Sequence, residues 1–401
     1  MANTFASTSN AFGILKTWFA GPIVTQFNDD IPIYKHMAQG SEKYNGLEIK
    51  RPIKVRRNPG IGATSDGGNL PSIGKQTVVQ ATINAKYNYL RFGITGPMIK
   101  ASQGDKGSFV SGMSYEMSEG LNDIKNDVNR QSFWSGDGKL ATVSANAVAS
   151  NVITVTGRES TEAGNKFLDI GMVVDVISSA GAVVASGLTI DGLSGTTTAT
   201  LTLSTAVTVS ATDFIVRTGA YNMEIQGVLT TQDGLTSTVY GIDRALYPVY
   251  QGNLISNNNQ VLNLNFMQQC FNEARRRGGK IDVIWSDYDS ERFYNKLLVT
   301  DKRYVGRVVG DGTFSSKEGS YLEYAGCKIV PDKDMPTRFA FMDSKSMKKY
   351  VLSELEWADE QGKDLIAQTG TDAYEARLRL FANYFNEKPS SSAIATGYLA
   401  P

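Results

Sequence analysis

The stretch from Leu47 to Thr95 constrains this chain more than any other, because it reads as one β-hairpin too long to fold back onto a single domain. A strand begins at Leu47 and runs through Glu48, Ile49, Arg51, Ile53 and Val55. Turn formers then occupy Asn58 to Pro71, with Gly60, Gly62, Gly67 and Gly68 among them, and close the hairpin. The return strand, Lys75 to Thr95, carries Val78, Val79, Ile83, Tyr87, Tyr89 and Phe92, β-branched and aromatic residues suited to a strand. Arms of ten or more residues at about 3.4 Å each reach on the order of 35 Å, longer than the radius of a domain of this size. Such a hairpin protrudes. An isolated two-stranded ribbon is marginal in water, so protrusion implies a partner surface, most simply another copy of the same chain.

The outgoing strand is also a charge anomaly: Lys50, Arg51, Lys54, Arg56 and Arg57 are five basic residues within eight. Contact with an acidic neighbour, contact with nucleic-acid phosphate, and plain solubility of an exposed edge are the three readings. Over the 401 residues, 40 Lys and Arg balance 40 Asp and Glu. A general nucleic-acid coat needs a strongly basic surface, so the balance disfavours the phosphate reading.

After Gly96-Pro97 the period becomes helical, with Met113, Met117, Leu121, Ile124 and Val128 on one face. Ser108 reads as the N-cap and Gly136-Asp137-Gly138 as the stop, giving a rigid element of roughly 38 Å. From Ala141 to Thr218 charged residues fall to about half the chain average, and Thr-rich alternation with Gly turns reads as a small all-β module inserted between α/β segments. A helix from Phe266 to Arg277, a strand from Ile281 to Trp285 and a helix from Tyr288 to Leu298 capped by Ser286 follow. Strands come next at Tyr321 to Val330, Arg338 to Met342 and Asp372 to Phe385, before a Pro, Ser, Ala and Gly rich tail from Lys388. Residues 1 to 46, with Phe5, Phe12, Trp18, Phe19 and Phe27, have no pattern long enough to fold alone and read as an arm that packs on something else.

Catalytic chemistry is poorly provided for. His36 is the single histidine, which excludes histidine metal clusters and most imidazole-based plans. Cys270 and Cys327 are too few for a disulfide framework and fit a reducing compartment; Cys270 reads as a small buried hydrophobe. Gly278-Gly279-Lys280 and Gly310-Asp311-Gly312 do not complete a phosphate cradle and read as turns. Arg275, Arg276 and Arg277 sit in the last turn of their helix, where cations favour the dipole. Glu354, Glu356, Asp359 and Glu360, with Lys363, read as the solvated face of a helix. No secretory or transit segment and no membrane span is expected, since Val176 to Ile190 and Leu193 to Thr212 are rich in Ser, Thr and Gly.

Taken in order, these elements resemble the major capsid protein of a tailed bacteriophage with the Johnson (Hong Kong 97-type) fold. The matching stretches are the Asn45 to Thr95 hairpin, the Ser108 to Ser135 helix, the strand Ile281-Asp282-Val283-Ile284-Trp285-Ser286, and the ending Tyr374-Glu375-Ala376-Arg377-Leu378-Arg379-Leu380-Phe381 followed by Pro389-Ser390-Ser391-Ser392-Ala393-Ile394-Ala395. The resemblance covers essentially the whole chain and implies an α+β fold in five parts. These are an N-terminal arm (1–46), an extended loop (47–96), a peripheral domain with a spine helix (97–140 and 345–401), an inserted all-β domain (141–218) and an axial domain (219–344).

It further implies a shell built from hexamers and pentamers of this chain, located in the virion and assembled in the host bacterial cytoplasm. That shell encloses double-stranded DNA without sequence-specific binding and uses no catalytic residue, cofactor or metal. Arg51, Lys54, Arg56 and Arg57 are then the candidates for ion pairs between subunits, while Gly60, Gly62, Gly67 and Gly68 let the tip adapt. No long charged helical segment precedes the arm, so a separate scaffolding protein is expected; a portal protein and a cement or decoration protein are further partners. An encapsulin-like compartment is the alternative within the fold, and a tail or adhesion protein the alternative outside it.

Overall fold

The computed structural model describes residues 32–40, 44, 46, 48–97, 106–159, 162–305, 322–358, 365–367 and 370–401. The aromatics expected in the arm, Gly310-Asp311-Gly312, and Asp359, Glu360 and Lys363 lie outside these residues. Two units emerge. The first draws on Met1–Lys50, Thr82–Ser132 and Lys348–Phe385, the second on Arg51–Ala81, Phe133–Met347 and Asn386–Pro401.

In the first unit, Ala373–Asn386 is the central strand of a five-stranded sheet. Lys86–Thr95 pairs antiparallel with it in unbroken register, Leu90 opposite Leu378 and Tyr87 opposite Phe381. Strict alternation divides the residues: Ala376, Leu378 and Leu380 are buried, while Tyr87, Tyr89 and Arg91 are exposed. The helix Lys106–Phe133 lies on the buried face, where a Cβ at Gly120 would come 2.7 Å from Leu90 and where Gln131 Nε2 donates to Asn88 Oδ1 at 3.0 Å. Its residues Leu121, Ile124 and Val128 are buried, in line with the helical period. It begins two residues before Ser108, which therefore sits in the first turn and is not the cap.

Met347–Trp357 is a strand of the same sheet, which corrects the reading of Glu354 and Glu356 as residues of a helix. Leu352-Ser353-Glu354-Leu355-Glu356-Trp357 has period two, and cross-strand pairing rewards that period over helical propensity. Ala38–Gln39 pairs parallel with its start, and Tyr34 Oη donates to Glu354 at 2.8 Å.

The second unit holds a six-stranded mixed sheet in the order Asn253–Val261, Ala393–Leu399, Phe339–Met342, Val283–Ser286, Cys327–Pro331, Glu323–Tyr324. The tail is thus a central strand: Ala393, Ile394 and Ala395 are buried between two neighbours. Leu264–Arg276 packs its Phe266, Met267, Cys270 and Phe271 into the sheet core. Asn263 caps this helix by accepting from Phe266 N at 2.8 Å. The following helix, Tyr288–Val305, runs beyond Leu298 and is capped by Asp287, which accepts from Ser290 N at 3.2 Å; Ser286 belongs to the strand before it.

Also in the second unit, six strands close into a barrel in the order Phe214–Arg217, Lys139–Val143, Ala147–Gly157, Thr198–Val209, Val183–Ser194, Val173–Ile177. Its core is its own, built from Ile153, Val155, Val174, Val176, Leu201, Leu203 and Ile215. At the neck, Gly136 has φ +75°, and a Cβ there would lie 2.9 Å from the carbonyl oxygen of Ile225. The guanidinium of Arg158 stacks over the ring of Trp134 at 4.0 Å and pairs with Asp137 at 2.7 Å.

Candidate functional site

Glu48–Arg56 and Thr77–Asn84 form a separate two-stranded sheet, so the hairpin exists, but its return strand is shorter than the sequence suggested. The chain breaks pairing at Ala85, and Lys86–Thr95 belongs to the five-stranded sheet. Nine residues still reach about 30 Å. Ile49 and Val55 are buried on one face of the outgoing strand, and Lys50, Pro52, Lys54 and Arg56 are exposed on the other.

That alternation separates the four cations proposed for subunit contacts. Arg51 shares the inward face with Ile49 and Val55, and its Nη2 pairs with Glu387 Oε1 at 2.6 Å within the same chain. Arg56 places its guanidinium 5.5 Å from the ring centroid of Tyr247. Among the described residues, Lys54 and Arg57 are exposed and have no carboxylate partner.

The four glycines of the tip act through space as much as through freedom. Gly60 N donates to Asn58 Oδ1 at 2.8 Å, and a Cβ on Gly60 would stand 2.8 Å from the carbonyl oxygen of Ser72 on the returning chain. Gly67 has φ +73° in a turn closed by Gly68 N to Ser65 O at 2.9 Å, a conformation that favours glycine. Gly62 and Gly68 lie tight against Pro71 and Ser65. Between the strands the tip carries three bare aliphatics, Ile61 (84% exposed), Leu70 (85%) and Ile73 (103%). Sequence reasoning passed over them; the available signal was large apolar residues inside a run of turn formers, where a monomer gains nothing from them.

The residues weighed for chemistry are placed otherwise. Cys270 is buried and its thiol is pushed up to about 12 by desolvation, the state of a packing residue and not of a nucleophile. Cys327 is also buried and donates to the Ile281 carbonyl at 3.2 Å. His36 is exposed on its short helix. Glu356 pairs with Arg379 at 2.8 Å, and hydrogen bonding from Ser353 helps lower its pKa. Among the described residues, no group of three or more His, Cys, Asp or Glu side chains could hold a metal, and no helix is long and apolar enough to cross a membrane.

No protein-family model matches the sequence, and no curated protein sequence matches it. Among solved structures, the chain is similar to one in the cyanophage A-1(L) capsid asymmetric unit, with TM-score 0.59 and 13% identity over 92% of this chain and 93% of that one. A chain of the native GTA particle capsid matches at TM-score 0.47 and 7% identity, covering 92% and 91%. The SrpI encapsulin of Synechococcus elongatus PCC 7942 matches at TM-score 0.44 and 6% identity, covering 92% and 88%. The first of these likenesses shows the fold: an α+β architecture shared with a phage capsid chain over nearly its full length.

Proposed function

We propose that this chain is the major capsid protein of a tailed bacteriophage, a structural subunit that assembles with copies of itself into an icosahedral shell around double-stranded DNA. The observation that carries the reading is the match in fold across 92% of the chain to the cyanophage A-1(L) capsid. The hairpin tip, with Ile61, Leu70 and Ile73 bare, supports it, because a cluster of exposed large aliphatics marks a surface that a partner covers. In this reading residues 1–46 form the arm, 47–96 the extended loop, 97–140 with 345–401 the peripheral domain, 141–218 the inserted domain and 219–344 the axial domain. The exposed Lys54 and Arg57 face a neighbouring subunit. Portal, separate scaffolding and cement proteins are its partners, and the shell is assembled in the host bacterial cytoplasm.

Electron microscopy of the purified full chain tests this directly. Closed spherical particles are expected, and nuclease-protected DNA inside particles taken from infected cells identifies a genome shell. Particles that hold protein cargo and no DNA would indicate a compartment of the same fold, and trimers or fibres would overturn the shell altogether.

A further inference from the structure

Cations from three distant segments gather at the end of the mixed sheet where Val283–Ser286 begins and Phe339–Met342 ends. Arg275, Arg276 and Arg277 close the helix Leu264–Arg276, and Gly278-Gly279 turns the chain at once into Lys280. The segments of Lys345 and Lys388 are knitted to that corner. Lys280 N donates to Asp343 Oδ2 at 3.2 Å, Glu387 N to the Ser346 carbonyl at 2.8 Å, and Lys388 Nζ to the Gly278 carbonyl at 3.4 Å. All of these Lys and Arg side chains are exposed. The helix dipole accounts for the three arginines, but not for lysines brought in from other segments.

The carboxylates of the corner are already engaged. Glu273 is shared by Arg276 at 3.3 Å and Arg277 at 3.2 Å, one charge against two. Asp343 is buried, Asp282 accepts from Ser344 N at 2.9 Å, and Glu387 pairs with Arg51. Among the described residues, Arg275, Lys280, Lys345 and Lys388 have no carboxylate partner. Because the whole chain carries 40 charges of each sign, the corner is a local positive field on a neutral protein.

The surroundings of these cations select the kind of anion. A protein interface is built around an apolar or aromatic centre. Among the described residues, no large hydrophobic side chain stands exposed within 265–287, 343–351 or 386–398. A nucleic-acid backbone needs no such centre: isolated Lys and Arg side chains meet its phosphates, which supply one charge per about 1.7 Å of duplex.

We propose that this corner binds the phosphate backbone of duplex DNA without regard to base sequence. The inference deepens the shell reading by naming where the enclosed DNA meets the protein, and it rests on that reading for the source of the DNA alone.

Fluorescence anisotropy of a labelled random-sequence duplex tests it, with the full-length chain kept unassembled at low concentration and salt varied. In the quadruple variant Arg275→Gln, Lys280→Gln, Lys345→Gln, Lys388→Gln, the slope of log affinity against log salt is expected to become shallower by about 3 to 4. Lys280→Gln and Lys388→Gln alone should each change it by about 1, which keeps the question answerable if the quadruple variant is unstable. The control Lys54→Gln with Arg57→Gln, exposed cations of the hairpin, should keep the wild-type slope. No duplex binding by the wild type at low salt overturns the proposal, as does an unchanged slope in the corner variants or a loss confined to the control. Tighter binding of poly-glutamate than of the duplex also overturns it and assigns the corner to an acidic protein. Absence of closed particles in microscopy counts against the shell reading alone, since this measurement needs none.

Discussion

Arg51 and Glu387 meet at 2.6 Å, joining the base of the hairpin to the residue that follows the strand Ala373–Asn386. Glu387 is held in turn through its own N–H, which donates to the Ser346 carbonyl at 2.8 Å. Both side chains remain about a quarter exposed, so solvent screens the pair and its contribution is modest. A double-mutant cycle with Arg51→Met and Glu387→Gln, followed by urea unfolding, is expected to give a coupling energy of about 0.5–1 kcal/mol. Zero coupling would return Arg51 to the set of cations available for a neighbour.

Changing Ile61, Leu70 and Ile73 together to Ser removes no buried contact, because all three stand in solvent in the isolated chain. Each substitution should shift unfolding stability by no more than about 0.5 kcal/mol, while particle formation, read by negative-stain microscopy, is lost. Deletion of residues 58 to 71 is expected to give the same soluble, folded, unassembled chain. Normal particles from either variant would end the claim that the tip is an assembly surface.

At Gly279, a Cβ would collide with the carbonyl of Ser391 and stand 3.0 Å from that of Ala274. Neither neighbour is a flexible side chain. Gly279→Ala therefore forces the helix end and the Pro389–Ser391 turn apart, with an expected loss of about 1–3 kcal/mol in denaturant unfolding.

Burial raises the pKa of Glu159 above the ordinary carboxylate value of 4.5, against the opposing pull of Arg338, its ion-pair partner. The folded chain thus holds this proton more tightly than the unfolded one. Stability from this site is fully present below 4.5 and is lost as pH rises through the raised value. The melting temperature of the wild type relative to Glu159→Gln should increase as pH falls from about 7 to about 5. A relative decrease would show that Arg338 outweighs desolvation.

The barrel closes on itself and has a core of its own, and the chain enters and leaves it through one neck. Residues 135–222 expressed alone are therefore expected to give dispersed amide NMR signals and a cooperative thermal transition. A collapsed, non-cooperative fragment would show that the barrel depends on the rest of its unit.

Much of this was legible in the sequence because it is local. The alternation around Ile49 and Val55 follows the two-residue period of a strand, and Leu121, Ile124 and Val128 follow the helical period. The apolar face of Leu264–Arg276 and the burial of Cys270 follow from the same kind of counting. Misreadings arose where two periods compete over a short run, as in Met347–Trp357, whose Glu-rich composition suggested a helix until its place in the sheet decided otherwise. The composition of the tail did not mark a strand: Ala393, Ile394 and Ala395 lie inside the sheet only because Asn253–Val261 and Phe339–Met342 flank them.

The candidate site divides in the same way. Sequence by itself determined that a basic hairpin exists and that its tip is built from glycines, since strand alternation and turn chemistry act over a few residues. Tertiary structure alone decided which cations remain available, because Arg51 meets Glu387 and Arg56 meets Tyr247 from distant parts of the chain. It also decided where the return strand ends: Lys86–Thr95 is committed to Ala373–Asn386, a pairing whose hydrogen bonds form between segments that carry no local trace of each other.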